Sequence, residues 1–171
     1  MDTTTLLFAA GIVGFIVLVV FVLSYISIRQ RKKEADKHEN YFYRAAAAFG
    51  ILVTRKDMLH HRMIGWDELS NRVIYIDYTK QPLQPVLLEL KEVAGSRLMV
   101  NNDTVVEKVR GEDKVTDIFI SSVKLRLQFA NQHLAQADLT FYRYGIDPIH
   151  ELEHLKSVAG SWNDLVNENS G

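Results

Sequence analysis

A chain of 171 residues, 47% hydrophobic and 24% charged and without cysteine, holds one domain of ordinary size and excludes disulfide frameworks, thiolate metal sites and cysteine nucleophiles. The net charge of −1 conceals a gradient: residues 29–48 carry six Lys or Arg against three acids, whereas residues 49–171 carry 14 basic and 17 acidic residues. That slightly acidic remainder lacks the electrostatic footprint of a nucleic-acid binder, so no nucleic-acid partner is expected.

The first element is Leu6 to Ile28. No charge lies between Asp2 and Arg29, and only Ser24, Tyr25 and Ser27 interrupt the apolar run. Its 23 residues rise roughly 35 Å as a helix, enough to cross a hydrocarbon core of about 30 Å. The run predicts a transmembrane helix with the lipid bilayer as its partner. A cleaved signal peptide fits less well, because the preceding Met-Asp-Thr-Thr-Thr carries no basic residue and no Ala-x-Ala-like site follows. Arg29, Arg31, Lys32 and Lys33 come directly after the span and are expected at the membrane surface. Basic residues flanking a span stay cytoplasmic, which places the N-terminus outside and the rest of the chain in the cytoplasm. Ala10 and Gly14 form one small-xxx-small pair through which two spans would pack as a homodimer. The span contains no Asp, Glu, Lys, Arg or His, so it reads as an anchor without a proton or ion path.

Residues 29–50 contain no proline, end in four alanines and stop at Gly50, which predicts a basic helical stalk continuing the span. Strands follow. Arg62 to Trp66 and Arg72 to Tyr78 flank the polar cluster Asp67 to Asn71 and read as a hairpin. Prolines 82 and 85 break the chain, and Val86 to Leu90 and Arg97 to Val100 then surround a turn at Gly95-Ser96. Polar residues 101–116 read as an exposed loop with marginal strand at Val105-Val106. Val123 to Phe129 alternates strictly, with Lys124, Arg126 and Gln128 on a wet face, and Ser121-Ser122 before it marks a bend or bulge. After a loop at 130–136, Leu139 to Tyr144 is the returning strand. The last element is a helix with Asp147 as N-cap, Pro148 at its first position and an apolar stripe of Ile149, Leu152, Leu155, Ala159, Trp162 and Val166.

Two groups of residues carry possible chemistry. His150-Glu151-Leu152-Glu153-His154 matches H-E-x-x-H, in which two histidines one turn apart bind zinc and the glutamate polarises water. Against zinc stand the charge at Glu153, Ser157 and Gly160 where the extended motif has glycine and histidine, and the polar helix face that carries both histidines. No metal or other cofactor is therefore expected. Lys124 and Arg126, with Arg143 on the neighbouring strand, form a basic strip suited to phospholipid heads or acidic peptides, or simply a solvated sheet face. His60-His61 near Asp57 reads as a surface turn, since adjacent side chains do not face one way.

Short antiparallel strands closed by one C-terminal amphipathic helix carrying Ala159-x-x-Trp162-x-x-Leu165 resemble the pleckstrin-homology-like fold over residues 58–168. The resemblance implies an α+β domain in which a bent sheet or half-barrel is capped by that helix. Lipid-binding members carry dense Lys and Arg in the first hairpin loop, where this chain has Asp67, Glu68, Ser70 and Asn71, so phosphoinositide binding is not implied. The whole chain is similar to small bacterial single-span proteins, which implies the inner membrane. The expected organisation is 1–28 tail and span, 29–50 stalk and 51–171 soluble domain. The expected role is a membrane-anchored cytoplasmic binding or scaffolding module for a membrane or cytoplasmic protein, without catalysis. The alternatives are a zinc hydrolase built on His150, Glu151 and His154, and a small accessory subunit of a larger membrane complex.

Overall fold

A computed structural model describes the backbone of residues 3–109, 112–130 and 136–170, and the side chains of these except 3–17, 28, 31, 105–109 and 112–116. The chain forms two compact units, Met1–Tyr43 and Arg44–Gly171. The element order is α1 (Thr3–Ala48), β1 (Arg55–Leu59), β2 (Arg62–Asp67), β3 (Arg72–Asp77), β4 (Val86–Glu89), β5 (Val93–Val109), β6 (Glu112–Phe129), β7 (Gln136–Arg143) and α2 (Leu152–Asn169). It is an α+β protein with two antiparallel sheets.

Helix α1 runs unbroken for 46 residues. Among the described residues no helix is long and apolar enough to cross a membrane. Of the expected span, the side chains of residues 6–17 and of Ile28 lie outside the described residues, as do those of Ala10 and Gly14. The helix stops as Gly50 predicts. Gly50 has φ +64°, its N–H donates to Ala47 O (3.0 Å), and the Ile51 N–H donates to Ala46 O (2.9 Å). This is the Schellman pattern, in which a left-handed glycine lets the chain turn back on the last carbonyls. Arg72 adds its guanidinium to the same end, donating to Phe49 O and Gly50 O at 3.3 and 3.1 Å, where the helix dipole favours a cation.

β1, β2, β3 and β4 pair in sequence order as one meander, and β5, β6 and β7 as a second. The β2–β3 hairpin pairs Arg62 with Asp77 and Asp67 with Arg72. The Asp67 carboxylate organises its turn, accepting from the N–H groups of Leu52 (2.9 Å), Leu69 (3.1 Å) and Ser70 (3.2 Å). These donors, the Leu52 N–H foremost and then the Ser70 side chain, hold its carboxyl below the usual carboxylate range.

Three expectations are corrected. Gly95-Ser96 is not a turn: a single 3-10 turn at Leu90–Glu92 ends β4, and Gly95 lies inside β5 beside a register shift. Residues 101–109 and 112–116 are not a loop. Strands β5 and β6 stay paired out to Val109 opposite Glu112, so the polar residues form a two-stranded ribbon whose cross-strand hydrogen bonds need no apolar pattern. Asp147 does not cap the last helix, which begins at Leu152 after a 3-10 turn at Ile149–Glu151. The bulge expected at Ser121-Ser122 is present: Asn101 pairs with Ser122 and Asn102 with Ile120, leaving Ser121 as the extra residue. Of the loop expected at 130–136, residues 131–135 lie outside the described residues, and Gln136 already belongs to β7.

The core lies between the sheets and α2. Val123, Leu125 and Leu127 of β6, Leu139, Phe141 and Tyr142 of β7, and Ile64, Val73 and Tyr75 of the first sheet meet Leu155, Ala159, Trp162, Leu165 and Val166 of α2. Trp162 is fully buried, and its indole N–H donates to Asp57 Oδ2 at 2.7 Å. The Arg55 guanidinium lies 5.1 Å from the same ring and donates to Ser161 Oγ at 2.8 Å. β1 thus closes over the helix through the one polar atom of its largest apolar side chain.

Candidate functional site

Three surfaces and one buried cluster bear on function. On α1, the described part of the apolar run is exposed all round. Leu18, Val20, Phe21 and Leu23 are 60, 57, 72 and 61% exposed, and Val22, Tyr25 and Ile26 are exposed as well. Consecutive helical residues are set about 100° apart, so these side chains cover the full circumference. Arg29, Lys32 and Lys33, directly after, are also exposed, while the side chain of Arg31 lies outside the described residues.

The wet face of the second sheet is set by register. Lys124 lies opposite Met99 and Thr140, Arg126 opposite Arg97 and Asp138, and Ser122 opposite Asn101 and Arg143. The three residues expected there, Lys124, Arg126 and Arg143, therefore share one face. Arg126 is already engaged: its Nε and Nη2 donate to the two Asp138 oxygens at 2.8 and 2.9 Å. This bidentate contact raises the Arg126 pKa and lowers that of Asp138, to which Lys124 adds a smaller electrostatic effect. Arg97, which sequence reasoning missed, is exposed directly opposite Arg126. The signal was a lone cation in a short apolar run, and only the register gives it a partner strand.

The H-E-x-x-H residues do not lie on one regular helix. His150 and Glu151 sit in the 3-10 turn and His154 in α2, so the one-turn α-helical spacing that aligns two imidazoles is not kept. His150 is 79% exposed and its Nε2 lies 4.0 Å from Glu151 Oε1. Among the described residues no group of three or more His, Cys, Asp or Glu could hold a metal ion. His60 and His61 form the two-residue turn between β1 and β2, their rings 4.3 Å apart, with His60 at φ +45°. Asp57 serves Trp162.

The buried cluster was not legible in sequence. Arg62 is fully buried at the start of β2, and its Nη1 donates to both Asp147 oxygens at 3.0 and 2.8 Å. Asp147 Oδ2 also accepts from the Arg143 N–H at 2.7 Å. Asp77 Oδ2, opposite on β3, lies 3.7 Å from Arg62 Nε, and Asp77 Oδ1 accepts from Thr79 Oγ1 at 2.6 Å. A buried guanidinium needs a buried counter-charge, and this need takes Asp147 from the helix terminus. Nearby, Tyr75 donates to Thr140 O at 2.8 Å, and burial first, then Asp77, raises the pKa of its hydroxyl. The cluster fixes β2, β3 and the β7–α2 connection relative to one another and presents nothing to solvent.

Compared with known proteins, the chain matches no family model, no curated protein and no solved structure.

Proposed function

We propose that the chain is a single-pass inner-membrane protein whose C-terminal unit is a cytoplasmic binding or scaffolding module of pleckstrin-homology-like fold, without catalysis. The observation that carries this reading is the exposed apolar circumference of residues 18–26, followed at once by Arg29, Lys32 and Lys33. A helix that is apolar all round belongs in a protein core or in a bilayer. Here the charge-free stretch extends over 6–28 in the sequence. Each basic residue beside an anionic leaflet adds about 1 kcal/mol. The fold assignment rests on the seven antiparallel strands among the described residues, closed by α2 with Trp162 buried at its centre. The binding role rests on the wet, cationic face of β5, β6 and β7.

Protease digestion of oriented vesicles tests it. In inverted inner-membrane vesicles the C-terminal unit is expected to be cut away, and in right-side-out spheroplasts it is expected to be protected. The reverse pattern sinks the assigned orientation, and digestion in both removes the membrane reading.

A further inference from the structure

We infer that the sheet unit pairs with a second copy of itself along the outer edge of β5, strand to antiparallel strand about a twofold axis at Val100. The inference does not depend on the membrane reading. β5 is an edge strand of its sheet. In an antiparallel ladder the backbone groups of successive residues point alternately toward the neighbouring strand and away from it. Ser96 points away from β6: its N–H donates to Asn167 Oδ1 at 2.7 Å, and its carbonyl accepts from Asn167 Nδ2 at 3.3 Å. Asn101 O points toward β6, where it accepts from Ser121 Oγ at 3.1 Å. The extra residue at the bulge, Ser121, belongs to β6, so β5 keeps its alternation and Ser96, Leu98, Val100, Asn102 and Thr104 all face outward. The Asn167 amide closes this edge at Ser96, and at the other end the Thr104 N–H donates to Asp103 Oδ1 at 2.8 Å. Between them, Leu98, Val100 and Asn102 present N–H and C=O groups that meet no partner among the described residues. No proline or lysine stands between Arg97 and Thr104 to blunt the edge.

The order of residues along the edge selects the occupant. The open stretch is symmetric about Val100, with a closed residue beyond each end. In an antiparallel pairing centred there, Val100 meets the partner's Val100 and Leu98 meets the partner's Asn102, and each such pair exchanges two N–H···O bonds. Arg97 then stands directly opposite the partner's Asp103, and Asp103 opposite the partner's Arg97, in non-hydrogen-bonded pairs whose Cα atoms approach to about 4.5 Å. Both side chains are exposed and neither has an ion-pair partner among the described residues. Opposite charges in that position stabilise a sheet. Sliding the partner by two residues puts Arg97 against Asn101 or Val105 and loses both ion pairs. Two further observations agree. β7 ends at Arg143 opposite Ser122, so from Asn102 onward β5 and β6 form a ribbon of only two strands, an arrangement that is marginal in water until a third strand joins it. Val100, apolar and 38% exposed, lies on the axis and is covered by its own copy.

The test is disulfide cross-linking of the full chain in zwitterionic detergent micelles. The chain has no cysteine, so V100C places one thiol per copy on the proposed axis, and S157C, exposed on α2, is the control. Mild oxidation is expected to link V100C into dimers and to leave S157C unlinked. In the V100C chain, R97D or D103R sets like charges opposite one another at two symmetric positions and is expected to lower linkage about tenfold. R97D/D103R re-forms both pairs with the signs exchanged and is expected to restore it. Circular dichroism checks that each variant is folded, and R97N or D103N replaces a reversal that unfolds the sheet. Failure of V100C to link, equal linkage of S157C, or a double variant that stays as weak as the single ones overturns the inference. So does linkage indifferent to the single reversals, the result of a dimer held by the apolar run. The micelle assay needs no bilayer, so these outcomes leave the membrane reading to its own test.

Discussion

The described part of the apolar run and the sheet unit invert each other. In α1, Leu18, Phe21 and Leu23 stand with most of their surface uncovered, while in the sheet unit the guanidinium of Arg62 is fully enclosed. Water as the only solvent would favour neither. On the membrane reading proposed above, the two regions are consistent once each is referred to its own surroundings: hydrocarbon around the run, and two aspartates around the arginine. What holds the sheet unit together is therefore internal and can be broken by one substitution. On the same reading what holds the run is external, and truncation there should leave the fold of the sheet unit untouched.

The largest expected effect follows from removing the buried cation. R62M leaves Asp77 and Asp147 enclosed without their partner and is expected to lower the unfolding free energy of the sheet unit by about 3–5 kcal/mol. Urea denaturation of the full chain in detergent measures it, and a loss below 1 kcal/mol, the scale of an exposed pair, would mean that the cluster is hydrated. Next is G50A. Nothing lies within 4 Å of an added Cβ, so the whole cost comes from holding alanine at φ +64° and should be about 1–2 kcal/mol. A variant as stable as the parent would show that the chain reversal after Ala48 is not needed.

Acid provides a graded version of the same comparison. Because the folded Asp67 carboxyl titrates below its unfolded value of about 3.9, its contribution is present above that pH and is lost as pH falls through the depressed folded value. Hydrogen exchange at the Leu52 amide should accelerate in that window before the β2–β3 ladder opens, and D67N should remove the pH dependence. The smallest effect is expected in the other region: F21A, a truncation that costs about 3–5 kcal/mol in a packed core, should leave unfolding of the sheet unit unchanged. A measurable loss would show that Phe21 is packed against protein.

The sequence pattern reached the elements in which apolar periodicity and local stop signals agree. Gly50, the β2–β3 hairpin, the alternation from Val123 to Phe129 and the stripe around Trp162 were all legible. β1 was not, because Arg55-Lys-Asp-Met-Leu59 places its polar residues within a strand that covers α2 through Asp57 and Arg55. The ribbon of 101–109 with 112–116 was not, beyond a marginal strand at Val105-Val106, because its pairing depends on a partner strand and carries no one-sided apolar signal. Asp147 had the local chemistry of a helix cap, and a long-range demand from Arg62 prevailed. Ile149, expected on the apolar stripe, is 68% exposed because the 3-10 turn rotates it away. Of the basic strip, the shared face was legible; the neutralisation of Arg126 and the addition of Arg97 required register.

The most direct measurement is alkaline carbonate extraction of membranes carrying the full chain, beside the same chain with L18K and V20K. The account predicts that the parent chain stays in the pellet and that the variant is released, since each lysine near the centre of a span costs about 3 kcal/mol of insertion. Release of the parent chain, or equal retention of both, would contradict a membrane anchor at residues 6–28.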